Sequence, residues 1–175
     1  ITTITMSIGA GLFTDYCDSS FPSLAGAINN AIANNINVVA SAGNDGSETS
    51  ISSPGCIENT TAVGATDKSD NIASYSNRNN LVDLMAPGSN IVSSKLGGGN
   101  TTMSGTSMSA PHVAGAVALM QQYGLEKDGD YYLPNTVESA YKDNGIQVEN
   151  WIRIDVDDST GSFDDEKPNL YLYHP

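Results

Sequence analysis

The chain has 175 residues, enough for one domain, and hydrophobic residues make up 39% of it, so a sizeable core can form. Twenty acidic residues outnumber seven basic ones, and the net charge of -13 argues against partners that need a basic surface, such as nucleic acids and anionic membranes. No run of about 18 apolar residues predicts a membrane-spanning helix. The first residues lack the basic and apolar regions of a signal peptide, and we expect them to come from the interior of a longer chain.

Short apolar runs in the first half of the chain alternate with one amphipathic run. A strand-like run at the start is followed by glycines, and the segment after Phe21 carries apolar residues at i, i+4 and i+8. A longer apolar run then ends at a Gly-Asn-Asp-Gly turn. These patterns predict a strand over 4–8, a helix over 22–33, a buried strand over 36–42 and a strand over 61–65.

The second half has the same alternation, with three glycines at 97–99 that predict a flexible loop. A long helical pattern follows this loop, and its small residues allow close approach to a sheet. The predicted elements are strands over 81–85 and 91–93 and helices over 107–122 and 134–142. Strands that alternate with helices indicate an α/β fold in which helices cover a mostly parallel sheet.

The most specific segment is the string Gly105–Gly115, with the sequence GTSMSAPHVAG. It leads a glycine turn into a serine at a helix amino terminus, where unpaired N–H groups and the helix dipole favour negative charge. On spacing alone, the ordinary role of Ser107 is that of a helix cap. The whole string, however, closely resembles the nucleophile motif of the subtilases, the subtilisin-like serine proteases. The resemblance implies that Ser107 is the nucleophile and that its own N–H donates to the oxyanion.

A second segment, Val38–Gly46, is similar to the subtilase strand that ends in Ala-Gly-Asn. The resemblance implies that Asn44 supplies the side-chain amide of the oxyanion hole. An amide suits this task because it donates a hydrogen bond without titrating. Without the family match, an asparagine after a strand is more often a turn former.

The substrate-binding segments also follow from the resemblance. The stretch Met6–Gly9 resembles the Ser-Leu-Gly-Gly stretch of the family, where a strand edge pairs with the extended substrate backbone. The resemblance implies that residues 51–54 help to wall the pocket for the P1 side chain, which we expect to be apolar. The implied substrate-binding residues are Ser7, Ile8, Gly9, Ser41, Ala42 and Gly43.

Two triad members are missing from the chain. The family order is Asp, His and then Ser, so the Asp and His motifs are expected before residue 1. The two histidines present are His112, inside the nucleophile motif, and His174, next to the end, and we expect neither to be the general base. We therefore expect an upstream segment or a partner chain to supply Asp and His and to complete the sheet.

The chain has two cysteines, Cys17 and Cys56, and on sequence alone they could be two free thiols or a disulfide. Several secreted subtilases have a disulfide between the corresponding loops, so the resemblance implies a Cys17–Cys56 bond and an extracellular location.

Some subtilases also bind calcium near these loops. The resemblance implies possible structural Ca²⁺ ligands at the Glu58 and Thr60 carbonyls and the Asp83 carboxylate. The alternative, a hydrogen-bonded structural Asp83, stays open. The acidic stretch 155–166 lacks the glycine register of a calcium loop and is interpreted as solvated.

The resemblance covers residues 1–122, and 123–175 are a divergent end of the same catalytic domain. It implies a three-layer α/β/α subtilisin-like fold, incomplete without an amino-terminal part, and a serine endopeptidase that acts on polypeptides with no cofactor for catalysis. Two alternatives remain. One is a non-catalytic subtilase-like subunit used for binding or structure. The other is an α/β hydrolase, which would need a Gly-x-Ser-x-Gly motif; this chain has Ser109 where that motif has its second glycine.

Overall fold

The computed structural model describes residues 1–148 and 151–153. These residues form a six-stranded sheet, two small two-stranded sheets and three helices. The helices are α1 (Pro22–Ala33), α2 (Thr106–Lys127) and α3 (Pro134–Asn144). The strands are β1 (Thr3–Met6), β2 (Ala10–Phe13), β3 (Asn37–Ser41), β4 (Ile51–Ser53), β5 (Thr61–Thr66), β6 (Leu84–Pro87), β7 (Ile91–Ser94), β8 (Asn100–Met103), β9 (Ile146–Val148) and β10 (Trp151–Arg153).

The large sheet has the strand order β1-β3-β5-β6-β10-β9. Every pair in it is parallel except β10 with β9, and the register places Val39 opposite both Thr5 and Thr61. Strand β1 is an edge strand in the part of the chain that the structure describes. The predicted α/β fold with a mostly parallel sheet is confirmed.

Helices cover both faces of this sheet. Neighbouring residues of a strand point to opposite faces, so they contact different helices. Val38 packs in a cluster with Ala25 and Ile28 of α1. The adjacent Val39 packs in a second cluster with Val113 of α2 and Val137 of α3. The central strands are buried on both sides, as in other parallel sheets. This arrangement confirms the three-layer α/β/α architecture.

Helix α2 determines where the site lies. Its buried face consists mostly of small and β-branched residues, including Ala110, Val113, Ala116 and Val117, and it contacts β1, β3, β5 and β6. Small side chains let the helix axis approach the sheet closely, so the first turn of α2 lies against the residues that follow β3. No helix within the described ranges is long and apolar enough to cross a membrane.

Some elements differ from the sequence-based prediction. Strand β6 begins at Leu84 because Leu81 and Val82 are buried in a turn rather than in the sheet. The antiparallel pairs β2–β4 and β7–β8 were not predicted in full. Their strands have three or four residues each, too few to show an alternating pattern. The glycines 97–99 lie in the loop that joins β7 to β8, as expected.

The acidic stretch 155–166 and His174 lie outside the described residues.

Candidate active site

Ser107 lies in the first turn of α2, which begins at Thr106. The turn before it is fixed to the sheet because the Gly105 N–H donates to the Gly88 carbonyl, just after β6, at 2.8 Å. Ser107 is partly exposed, whereas Thr106 is fully buried. The hydroxyl of Ser107 is thus held at a helix amino terminus and remains open to solvent, where a substrate carbonyl can reach it.

The side chain of Asn44 is fixed by the residue next to Ser107. Its Oδ1 accepts hydrogen bonds from the Thr106 N–H at 2.8 Å and from the Thr106 hydroxyl at 3.1 Å. The Thr106 hydroxyl in turn accepts from the Gly43 N–H at 3.1 Å. Because Oδ1 is engaged by two donors, the amide NH₂ of Asn44 is left to donate elsewhere. The structure therefore brings the amide and the nucleophile candidate together at one helix terminus.

Asn77 holds the turn that carries Asn44. Its Oδ1 accepts from the N–H groups of Asp45 and Ser47, and its Nδ2 donates to the carbonyl of Ala42. Asn77 is fully buried, and its bond to the Ala42 carbonyl is buried with it, whereas its bonds to Asp45 and Ser47 are partly buried.

Gly43 is required in this turn because its φ is +104° and an added Cβ would overlap Asn77 Nδ2 and Ser52 Oγ.

Thr106 and Asn77 were not predicted as site residues. Thr106 stands beside Ser107 in the motif, and Asn77 ends a Ser-Tyr-Ser-Asn segment. Nothing in the sequence indicated the hydrogen-bond partners of either residue.

The expected substrate-binding segments lie together. Ser41 Oγ donates to the Ile8 carbonyl at 3.0 Å, which fixes the segment after β1 to the end of β3. The Ser52 N–H donates to the Ala42 carbonyl at 2.8 Å, and a Cβ on Gly9 would lie 3.2 Å from Ser52 Cβ. Residues 7–9, 41–43 and 51–54 therefore converge beside Ser107.

The structure does not place His112, the histidine within the described ranges, as a base for Ser107. The His112 ring is partly buried, and its Nδ1 lies 2.7 Å from the Met108 carbonyl, which accepts the hydrogen bond. His112 also lines a cavity of about 290 Å³ to which Ser107 and Asn44 do not contribute. In the described ranges, the hydrogen-bond acceptor of the Ser107 hydroxyl is the Ser7 carbonyl, at a long 3.4 Å.

Cys17 and Cys56 form a disulfide, as the family resemblance implied. Both residues are buried, and the Cys17 N–H donates to the Cys56 carbonyl at 2.9 Å. The bond joins the segment after β2 to the segment after β4, and these two strands pair with each other. It therefore fixes the loops that carry the candidate substrate pocket.

The Asp83 carboxylate is occupied by protein groups. Its Oδ2 accepts from the Ala62 N–H at 2.8 Å, and its Oδ1 accepts from Lys142 Nζ at 2.9 Å. Lys142 also binds Glu138 at 2.6 Å. Burial and the nearby Glu138 raise the pKa of Asp83, and Lys142 opposes them. Burial alone would lower the pKa of Lys142, but its bonds to Asp83 and Glu138 raise it.

The Asp83 carboxylate therefore does not fit a calcium ion as it stands. Both oxygens of Asp83 are already bound, and the Lys142 ammonium would repel a divalent cation. The other expected donors are the carbonyls of Glu58, which is exposed, and Thr60, which is buried; both residues lie between β4 and β5. Calcium at Glu58, Thr60 and Asp83 remains a prediction.

The parallel sheet and the pairing of a strand-end amide with a helix-borne serine define the class of subtilisin-like serine proteases. A family model described as the subtilase family, Peptidase S8, matches residues 1–155. The chain belongs to the subtilase family. This membership removes the α/β-hydrolase alternative.

Three similar proteins illustrate the relationship. A thermophilic serine proteinase from Bacillus sp. (strain AK1) is 47% identical over 108 residues, which cover 62% of this chain and 27% of that protein. An intracellular serine protease from Paenibacillus polymyxa is 41% identical over 123 residues, which cover 68% of this chain and 36% of that protein. The crystal structure of a cold-adapted subtilisin-like serine proteinase matches with a TM-score of 0.70 and 33% identity, covering 85% of this chain and 50% of that chain. The chain thus spans about half or less of the proteins that it resembles.

Proposed function

We propose that this chain is the carboxy-terminal part of a serine endopeptidase that cleaves polypeptides through an acyl-enzyme on Ser107. The observation that carries the proposal is the Asn44 amide, whose oxygen is bound by Thr106 so that its NH₂ is free beside Ser107. A preorganised donor at a helix amino terminus stabilises the negative charge that develops on a substrate carbonyl oxygen.

The chain's own residues supply three parts of the reaction. Ser107 attacks the peptide carbonyl, and the Asn44 amide and the Ser107 N–H hold the resulting oxyanion. The segments 7–9 and 41–43 bind the extended substrate backbone, with 51–54 closing the P1 pocket. A histidine held by an aspartate takes the Ser107 proton and later transfers it to the leaving amine. We place both of these residues in an upstream segment or in a partner chain.

Labelling with a fluorophosphonate, followed by peptide mapping, tests this proposal on the complete protein. We expect the label on Ser107 and none on the Ser107→Ala variant. The Asn44→Ala variant should label Ser107 more slowly, and its turnover of a peptide substrate should fall about 10²- to 10³-fold. An exposed-serine variant on α3, Ser139→Ala, should match the wild type.

The second candidate is a non-catalytic subtilase-like subunit. It is favoured by one observation, that the described part of the chain offers Ser107 no histidine partner. A folded complete protein that is not labelled at Ser107 would support this candidate and contradict the endopeptidase.

A secreted location is supported by the disulfide, since such bonds persist in oxidising compartments. The intracellular relative from Paenibacillus polymyxa shows that the family alone does not fix the location. Detection of the mature protein in culture medium, rather than in cell extract, tests this part of the proposal.

A further inference from the structure

The carbonyl of Ser107 lacks its usual helical partner. In an α-helix each carbonyl accepts from the N–H four residues later, and the residue four positions after Ser107 is Pro111, which has no N–H. An unpaired carbonyl in the first turn of α2 would leave the backbone of Ser107 less firmly held than the turns that follow.

The side chain of Ser7 supplies the missing donor. Its hydroxyl donates to the Ser107 carbonyl at 2.8 Å, a bond between residues 100 positions apart in the chain. In the reverse direction the Ser107 hydroxyl donates to the Ser7 carbonyl, at 3.4 Å. The segment around Ser7 is itself fixed, because Ser41 Oγ donates to the carbonyls of Ile8 at 3.0 Å and Met6 at 3.5 Å. Ser7 is therefore held on both sides.

We propose that the Ser7 hydroxyl is a positioning residue for the nucleophile, which it holds through the Ser107 carbonyl. The inference rests on the proposed endopeptidase function. Asn44 is bound to Thr106 and Ser7 to Ser107, so successive residues of α2 are fixed from two different strand ends. Together they set the position of the hydroxyl relative to the amide, and small displacements of a reacting group lower turnover strongly.

Kinetics of the Ser7→Ala variant of the complete protein tests the proposal. One neutral hydrogen bond contributes enough to expect kcat to fall about three- to tenfold. We expect KM to stay within about twofold, because the backbone of Ser7 is unchanged and substrate binding uses that backbone. Ser7→Thr keeps the hydroxyl and should recover most of kcat, and Ser139→Ala, exposed on α3, should equal the wild type.

A double-mutant cycle with Pro111→Ala shows whether the effect passes through the Ser107 carbonyl. Alanine at 111 restores an N–H four residues after Ser107, so the carbonyl gains a helical donor. In this background the added Ser7→Ala change should alter kcat by less than about twofold. Equal losses in both backgrounds, or a normal kcat for Ser7→Ala alone, would overturn the positioning role. A wild-type protein that a fluorophosphonate does not label would instead overturn the proposed function.

Discussion

Thr106 is the residue at which the two halves of the candidate site contact each other. Its hydroxyl accepts from the Gly43 N–H and donates to Asn44 Oδ1, while its own N–H donates to the same oxygen. These bonds orient an amide that projects from an exposed turn residue. A single buried residue therefore sets the direction of the Asn44 amide relative to Ser107.

Thr106→Val tests this role, because valine keeps the shape of threonine and removes the hydroxyl. The Gly43 N–H then loses its acceptor in a buried position, which should lower the free energy of unfolding by about 1–3 kcal/mol. The Asn44 amide loses one of its two donors, and we expect kcat to fall about five- to tenfold. Chemical denaturation and steady-state kinetics measure the two effects. Thr106→Ser, which keeps the hydroxyl, is the control, and a loss equal to that of valine would contradict the assignment.

Among single residues, the sequence predicted Ser107 and Asn44 as candidates but did not predict the contacts that hold them. Ser107 and Asn44 were identified because long motifs surround them. The partners Thr106 and Asn77 stand near these motifs, but their hydrogen bonds reach across 62 and 30 or more residues. Such bonds depend on how strands pack, and no local pattern encodes them.

Among the elements, the turn between β6 and β7 is a tightly packed support of the site. An added Cβ at Gly88 would lie 2.6 Å from Ala65 Cβ and 3.0 Å from the Gly105 carbonyl oxygen, and it would overlap Ser109 Oγ. Gly88 also accepts the hydrogen bond from the Gly105 N–H that fixes the start of α2.

Gly88→Ala should therefore destabilise the protein and lower activity together. Overpacking of this kind costs about 1–3 kcal/mol, and relief requires both the start of α2 and the turn itself to move. The matched control is Gly26→Ala in α1, where a Cβ would meet no atom within 4 Å. This control should gain about 0.5–1 kcal/mol from helix propensity. Thermal unfolding of both variants measures the contrast, and equal midpoints would count against the packing argument.

Besides the packing of Val137 in the core, α3 has an electrostatic link to the residue before β6. Lys142 lies between Asp83 and Glu138, so its removal leaves two partly buried carboxylates without their cation. Lys142→Met should lower the free energy of unfolding by about 1 kcal/mol near pH 7, since all three groups are partly in water.

The pH dependence of this loss has a definite sign. Because the pKa of Asp83 is raised in the folded state, the folded protein binds more protons than the unfolded one, and stability falls as pH rises through that pKa. Removing the ammonium raises the pKa further. The loss in Lys142→Met should therefore be small near pH 4 and larger at pH 7, measured by denaturation at both pH values. Lys95→Met, an exposed lysine, should show neither effect.

The same residues decide the calcium prediction. If Lys142 acts as the cation at Asp83, any Ca²⁺-dependent increase in the unfolding temperature should be the same in wild type and Asp83→Asn. An increase that Asp83→Asn abolishes would restore Asp83 as a calcium ligand.

Element prediction succeeded where a run was long or flanked by clear stop signals, as for α1, β3 and α2. It failed for β2, β4 and β8, which are short and pair antiparallel at the margins of the main sheet. Their formation depends on neighbouring strands, and in β4 the Ser52 N–H also donates to the Ala42 carbonyl. Their own sequences therefore carry little signal.

At the scale of the whole molecule, the Cys17–Cys56 bond joins residues 39 positions apart in the chain. Closing a loop of this length lowers the entropy of the unfolded chain and contributes about 4 kcal/mol at most. The double variant Cys17→Ala/Cys56→Ala should lose stability of that order, with a lower unfolding temperature by calorimetry. Wild type treated with a reductant should approach the variant. An unchanged unfolding temperature would mean that the surrounding strands hold these loops without the bond.

The site is assembled from distant parts of the chain, since the amide follows β3 and the hydroxyl lies at the start of α2, and Asn44 and Thr106 are 62 positions apart. Without α2, the Asn44 amide has no nucleophile beside it. An isolated α2 likewise has a hydroxyl with no neighbouring amide to stabilise negative charge. On the proposed function, the amide and the nucleophile can therefore act on one carbonyl only after α2 has packed against the end of β3.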